Sequence, residues 1–309
     1  TNIGIVVSGA TVNDIKETLK DYKGASLHYI MQASPEGLAH AVKVSRDFLK
    51  DEPFVMYLSD NLFERGIKTF VDAFRQAKGD YNAVLALIRV EDPRQFGVVV
   101  VEDGRITKLI EKPKDPPSNL AVAGVYVFDV CIHDTIEGLK PSARGEYEIT
   151  DAIHRLIERG KKVAPVEVSG WWKDTGNPED ILDANRLVLS RLEPRQLGTV
   201  ENSRIVGQVV VEEGAVIKNS TVIGPAIIGS GAVLEDAYVG PFTSIGPGVK
   251  IKNAELEYAV VEQDTVIDSV AVRIQSSLIG ASVEIRGRKE RPSTHQLILG
   301  DRSKAQIQE

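Results

Sequence analysis

From Thr1 to about Arg195, short runs of β-branched and other apolar residues alternate with stretches in a helical rhythm. Ile3 to Val7, Phe54 to Leu58, Ala83 to Val90 and Val122 to Phe128 read as strands, and runs this continuous predict strands covered on both faces. Between the first two, Ser34-Pro35 has the form of an N-cap followed by proline at the first helical position. Leu38, Ala41, Val42 and Phe48 follow near helical spacing with small Ser45 among them, so a helix is expected to lead into the strand that ends at Ser59-Asp60. Strand, helix and strand in this order make a βαβ unit, and ligands of open α/β sheets bind beyond the carboxyl ends of such strands, where Asp60-Asn61 stands. The segment Gly97–Glu111 breaks the alternation: two extended runs flank Asp103-Gly104, a strong hairpin signal. A further helix is expected over about Pro178 to Leu192, and a composition change near Glu193 to Leu197 sets the expected boundary between domains 1–195 and 196–309.

Beyond that boundary the period changes again. Ile223, Ile228, Leu234, Val239, Ile245, Ile251 and Leu256 recur every five or six residues, several of them followed by glycine. A helix repeats at 3.6 residues and a strand at two, so neither accounts for this spacing. A coil of three short strands per turn does, with one aliphatic side chain directed inward from each corner. This pattern resembles the hexapeptide-repeat left-handed β-helix, so the expected fold is an α/β, Rossmann-like mixed-sheet domain followed by a left-handed parallel β-helix.

With 309 residues and 42% hydrophobic content the chain can bury two cores of ordinary size. A formal charge of -7 argues against non-specific binding to nucleic acid or an anionic membrane surface. Cys131 is the single cysteine, which removes an intrachain disulfide and a thiolate zinc cluster from consideration. No apolar run reaches the length of a membrane span, and the expected location is the cytoplasm. His28, His40, His133, His154 and His295 show no metal-ligand spacing and are expected to play structural roles. The charged segment Arg286–Glu309 is expected to be partly mobile.

Four clusters carry candidate chemistry. The first is Gln32-Ala33-Ser34-Pro35-Glu36-Gly37-Leu38-Ala39-His40-Ala41; taken alone it is also a good helix start. The second is Tyr57-Leu58-Ser59-Asp60-Asn61 together with Trp171-Trp172-Lys173-Asp174-Thr175-Gly176, whose aspartates would by themselves serve equally as a helix cap and a turn residue. The third joins Gln95-Phe96-Gly97-Val98 to Ile110-Glu111-Lys112-Pro113 across the hairpin. The fourth is Ala123-Gly124-Val125-Tyr126 followed by Ser142-Ala143-Arg144-Gly145-Glu146-Tyr147-Glu148-Ile149-Thr150-Asp151.

In order and spacing these clusters, which cover residues 32 to 176, resemble the sugar-1-phosphate nucleotidyltransferases, most closely the long-form glucose-1-phosphate thymidylyltransferases. The resemblance implies a nucleotide site at Gln32, Gly37, Leu38 and Asp60, with the Gln32 amide reading the base. It implies a sugar-phosphate site at Gly97, Glu111, Lys112, Gly124, Tyr126, Arg144 and Thr150, with Lys112 and Arg144 catalytic, and Mg²⁺ held by Asp60 and Asp174. Many relatives have tyrosine where this chain has Phe96, which leaves the sugar open, and the role of Glu146 stays open too. The implied reaction is attack of a sugar 1-phosphate oxygen on the α-phosphorus of a nucleoside triphosphate, with dTTP and glucose 1-phosphate the expected pair. The nucleophile is already an anion, which agrees with motifs that hold no catalytic histidine.

Relatives begin with a strand and a glycine-rich, basic phosphate loop, and Ser8-Gly9-Ala10-Thr11 does not match it. The sequence therefore reads as starting about one βαβ unit late, with the expectation that this polypeptide alone is catalytically incomplete. A UDP-, ADP- or GDP-sugar enzyme of the same fold is the nearest alternative. A bifunctional acyltransferase would call for a histidine in the β-helix, yet residues 197 to 294 contain none. A non-catalytic regulatory or assembly subunit is the third reading, and a homo-oligomer is expected by resemblance.

Overall fold

The computed structural model describes residues 1–287, which fall into two compact units divided between Asp174 and Thr175. His295 and nearly all of the charged terminal segment lie outside the described residues.

The first unit runs β1 (Asn2–Val7), α1 (Val12–Thr18), β2 (Ser26–Met31), α2 (Leu38–Val44), α3 (Arg46–Leu49), β3 (Phe54–Tyr57), β4 (Asn61–Phe63), α4 (Lys68–Gln76), β5 (Ala83–Arg89), β6 (Gly97–Glu102), β7 (Arg105–Glu111), β8 (Leu120–Phe128), α5 (Ile132–Glu137), α6 (Ile149–Glu158), β9 (Val163–Glu167) and β10 (Trp172–Asp174). Its main sheet has the order β7-β6-β8-β5-β9, with β3 also on β8. The sheet is mixed, because β5 and β9 are parallel and the other pairs antiparallel. As the continuous apolar runs predict, β5 and β8 are covered on both faces, whereas β1 and β3 leave Ile3, Val6, Val55 and Tyr57 exposed. Leu85, Leu87, Tyr126 and Phe128 point into one core with α2, α5 and α6, while Val84, Ala86, Val125 and Val127 point into another with Phe70 of α4.

The four strands expected from apolar runs all form, and the hairpin turns at Asp103 and Gly104 with φ 48° and 72°, the backbone that a two-residue primed turn requires. Two expectations need correction. The parallel βαβ unit is β1-α1-β2, whereas β3 joins the sheet antiparallel to β8; β2 alternates exposed and half-buried positions and so gives no continuous apolar run. The helix expected from Ser34-Pro35 begins at Leu38 instead, after Gly37 at φ 103°. Backbone bonds from Ala39 N to Tyr147 O (3.0 Å) and from Tyr147 N to Glu36 O (2.8 Å) draw this segment towards Tyr147. The helical run also breaks at Ser45 into α2 and α3.

In the second unit, the expected helix forms as α7 (Pro178–Leu189) before the repeat, and Asn177 caps it, its Oδ1 accepting from Asp180 N at 3.0 Å with proline at the first turn. It packs on the coils through Asn185, which bonds Ser244 Oγ (2.6 Å) and Phe242 O (3.0 Å), and through Asp183, which accepts from Tyr258 OH at 3.0 Å. The compact division therefore falls before α7, whereas the composition change near residue 195 marks where the repeat begins.

The repeat is a left-handed parallel β-helix whose mostly three-residue strands stack in register. One side carries the inward ladder Val200–Ile217–Leu234–Ile251–Ile267–Ile285, and a second carries Val211–Ile228–Ile245–Val261–Ile279. The third is Ile205–Val222–Val239–Leu256–Ile274. Six of the seven repeat positions identified in the sequence are buried, and the exception is Ile223: Val222 is the inward residue and Ile223 is half-buried. Gly224 after Ile223 mimics the phase of the true corners, where a Cβ on Gly229 would come within 2.7 Å of the next coil's backbone at Gly246. One corner repeats Asn202, Asn219, Asp236 and Asn253, all at φ between 45° and 50°, where short polar side chains tolerate the left-handed turn.

Candidate active site

Gln32 sits just past β2, and its N–H donates to Val7 O at 2.9 Å, so the parallel pair β1-β2 sets its position. Its side-chain Nε2 lies 3.2 Å from Gly37 O and 3.1 Å from His40 Nδ1. Gly37 cannot be replaced cheaply: besides its positive φ, a Cβ there would lie 2.7 Å from Tyr147 O. Leu38 opens α2 and packs, half-buried, against the core.

Asp60 precedes β4, whose Asn61 stands directly opposite Asp174 in the antiparallel pair β4-β10. The two aspartates are thus one strand register apart although 114 positions separate them in sequence. Asn61 is 3% exposed, and both ends of its amide are engaged, Nδ2 donating to Asp60 Oδ1 at 2.7 Å and Oδ1 accepting from Trp172 Nε1 at 2.7 Å. Tyr57 OH donates to Asn61 O. Burial, then the nearby Asp60 charge, raise the Tyr57 hydroxyl above the ordinary phenol value. Gly124 closes against this group, with φ 66° and a Cβ position 2.7 Å from Asn61 Cγ. Here β8 carries a bulge: Leu85 pairs with Tyr126 but Leu87 with Val122, so residues 123–125 are squeezed opposite a single residue of β5.

The third group forms where the hairpin meets α6. Glu111 Oε2 accepts from Thr150 Oγ1 at 3.1 Å, and Glu111 Oε1 lies 3.3 Å from an Arg144 terminal nitrogen. Arg144 also meets Glu146 at 3.1 Å and Glu148 at 3.5 Å. Glu148 is itself buried and accepts from Ser142 Oγ at 2.9 Å. Burial first and the Glu148 charge second push the Glu111 carboxyl above the usual carboxylate range, against the opposing effects of Thr150, Lys112 and Arg144. Gly97 leaves room for this pair, since a Cβ would reach 2.8 Å from Thr150 Cγ2. Lys112 is exposed, adopts φ 38°, and makes no side-chain hydrogen bond or ion pair among the described residues. Tyr126 is only 4% exposed and stacks on Phe128 inside the core, and burial raises its hydroxyl pKa.

Two contacts join the three groups. Phe96, beside Gly97, meets Trp172 edge-on at 5.8 Å between ring centroids, tying the hairpin to the Asp60-Asp174 strands. Tyr147, between Arg144 and Thr150, is bonded to the Gln32 loop through Glu36 and Ala39. The residues that sequence reasoning missed are Asn61 and Glu148. Both are polar and stand inside quoted motifs without an assigned role, and the signal that marks them, burial, is visible only in the structure. Among the described residues no group of three or more His, Cys, Asp or Glu could hold a metal, and no helix is long and apolar enough to cross a membrane. Asp60, just before β4, and Asp174, opposite Asn61 on β10, are nevertheless a hard oxygen donor set of the kind a divalent cation takes together with waters and phosphates.

The chain is similar to several known proteins. Residues 1–191 match the nucleotidyl transferase family. A glucose-1-phosphate thymidylyltransferase of Streptomyces griseus is 45% identical over 99% of this chain and 86% of its own, and one of Streptomyces antibioticus is 43% identical over 100% and 87%. A Bacillus anthracis protein named as a glucose-1-phosphate thymidylyltransferase, crystallised with sucrose, superposes with a TM-score of 0.55 at 36% identity, covering 60% of this chain and 75% of that one. With its family match over the whole first unit and full-length similarity to these enzymes, the chain belongs to the sugar-1-phosphate nucleotidyltransferases.

Proposed function

We propose that this chain transfers a thymidylyl group from dTTP to glucose 1-phosphate, releasing pyrophosphate, with residues 1–195 as the nucleotidyltransferase domain and 196–309 as a β-helix domain that assembles homo-oligomers. The observation that carries the reading is the joining of three motif groups, Gln32–Leu38, Asp60 with Asp174, and Glu111 with Arg144 and Thr150, through Phe96–Trp172 and Tyr147. Each group matches one part of the reaction. Gln32 faces the base, with Gly37 and Leu38 shaping the loop. Glu111 accepts from sugar hydroxyls and Thr150 holds its second oxygen, while Gly97, Gly124 and Tyr126 shape the sugar side.

In the reaction an oxygen of the sugar phosphate forms a bond to the α-phosphorus, and the bond from that phosphorus to the bridging oxygen breaks, its electron pair leaving with pyrophosphate. No proton has to be removed from the nucleophile, so the residues act by alignment and charge neutralisation. Lys112 supplies a point charge, and Arg144 a planar fork that the sugar phosphate shares with Glu111, Glu146 and Glu148. Asp60 and Asp174 would hold Mg²⁺, which screens the phosphate charge. The test is pyrophosphate release from dTTP and glucose 1-phosphate with Mg²⁺, run on the purified protein. Release with this pair, exceeding that with UTP, ATP or GTP, is expected. Activity with another pair would reassign base or sugar, and silence with all pairs alongside measurable nucleotide binding would favour a regulatory subunit.

A further inference from the structure

The Gln32 loop contains a hydrogen-bond chain that the motifs do not explain. A glutamine amide has two donor protons and one acceptor oxygen. Gln32 Nε2 is 3.2 Å from Gly37 O, and a backbone carbonyl can only accept, so this contact settles which end of the amide is nitrogen. The second Nε2 proton then points to His40 Nδ1 at 3.1 Å, which must offer its lone pair. The ring proton therefore resides on Nε2, and Glu36 Oε2 at 4.0 Å from that atom supports the same tautomer. The ring is held on its other side by Tyr147, with centroids 6.1 Å apart, and the His40 side chain is 18% exposed. Both Gln32 donors are thus consumed within the loop. Its Oε1 makes no hydrogen bond among the described residues.

We infer that His40 is a positioning residue that fixes the polarity of the Gln32 amide, so that the site shows a nucleobase an acceptor and selects bases with a ring N–H. The inference rests on the reading that Gln32 faces the base. Thymine and uracil carry such an N–H, whereas cytosine has a lone pair at the corresponding ring nitrogen and meets the Gln32 oxygen with repulsion. Without the His40 lone pair the amide keeps one anchor of two, and rotation presents a donor that cytosine accepts.

The experiment measures kcat and KM for dTTP, UTP and CTP at saturating glucose 1-phosphate, and KM for glucose 1-phosphate at saturating dTTP, in the protein and in its His40→Leu, His40→Asn, His40→Lys and Gln32→Leu variants. Asparagine places an oxygen near the position of Nδ1, while leucine has no acceptor and lysine can only donate. His40→Leu and His40→Lys are expected to lower the preference for dTTP over CTP about tenfold, through KM for dTTP, with KM for glucose 1-phosphate unchanged; His40→Asn keeps the preference within about twofold. Either of the first two variants suffices if the other does not fold. Unchanged discrimination in a folded His40→Leu or His40→Lys, with discrimination lost in Gln32→Leu, overturns the role of His40 alone. Unchanged discrimination in Gln32→Leu overturns the base-reading assignment and this inference with it.

Discussion

The two units are built on opposite principles. In the β-helix, neighbours in space are about one coil apart in sequence, as in Val211–Ile228–Ile245, and the same environment recurs at every step. In the first unit, Asn61 bonds a tryptophan 111 positions away and Thr150 bonds Glu111 from 39 positions away. Regular stacking builds a core from repeated aliphatic residues. The site needs a bulge at Gly124, buried polar groups such as Asn61 and Glu148, and a raised carboxyl pKa at Glu111, all of which cost stability. Function and regularity are therefore separated along the chain.

That contrast can be broken by substitution. The largest effect is expected from Asp60→Asn or Asp174→Asn: turnover falls about a thousandfold, about 4 kcal/mol of transition-state stabilisation, while the melting temperature holds. Steady-state rates beside a thermal melt check this, and a coincident loss of stability would mean the aspartates are structural. Leu234→Ala, in the centre of an inward ladder, is expected to reverse the pattern, costing about 3 kcal/mol of unfolding free energy for the β-helix transition with kcat unchanged. Gly124→Ala lies between these, because its φ of 66° and the 2.7 Å approach to Asn61 both oppose a Cβ. It should lose about 1–2 kcal/mol and raise KM for the sugar phosphate as the Asn61 amide shifts.

Glu111→Gln sharpens the comparison through pH. The raised carboxyl pKa means that the ionised acceptor is lost at a higher pH than for an ordinary glutamate, so kcat/KM for the sugar phosphate falls as acid is added through that point. The folded state binds this proton more tightly than the unfolded chain, so the Glu111 contribution to stability is largest below the unfolded pKa and is lost as pH rises through the folded one. In Glu111→Gln that acid limb disappears and stability at neutral pH rises, at the cost of sugar affinity; a persistent limb would assign it to another group. The smallest effect is expected at the exposed Lys252–Glu235 pair of the β-helix, where Lys252→Ala changes stability by less than about 0.5 kcal/mol in a denaturant titration and leaves activity intact.

The difference between the units also explains what was legible beforehand. The β-helix was readable because inward positions recur at fixed spacing, and the single slip, Ile223 for Val222, arose where a glycine out of phase copied the corner signature. The strands β5 and β8 were readable because burial on both faces leaves a continuous apolar run, whereas β2, half exposed, left no such trace. The start of α2 was misplaced because Ser34-Pro35 satisfies the local rules for a helix start, while the bonds to Tyr147 that draw this segment come from a residue over a hundred positions away.

By itself the sequence determined the two architectures, the hairpin at Asp103-Gly104 and the residue types of the site, because periodicity and turn chemistry act over a few residues. Only the tertiary structure decided that Asn61 bridges Asp60 to Trp172, that Glu148 and Glu111 crowd one arginine, and that His40 consumes the second donor of Gln32. Those outcomes depend on burial and on contacts between distant segments, and the energy of a polar group is set by the partners that folding brings to it.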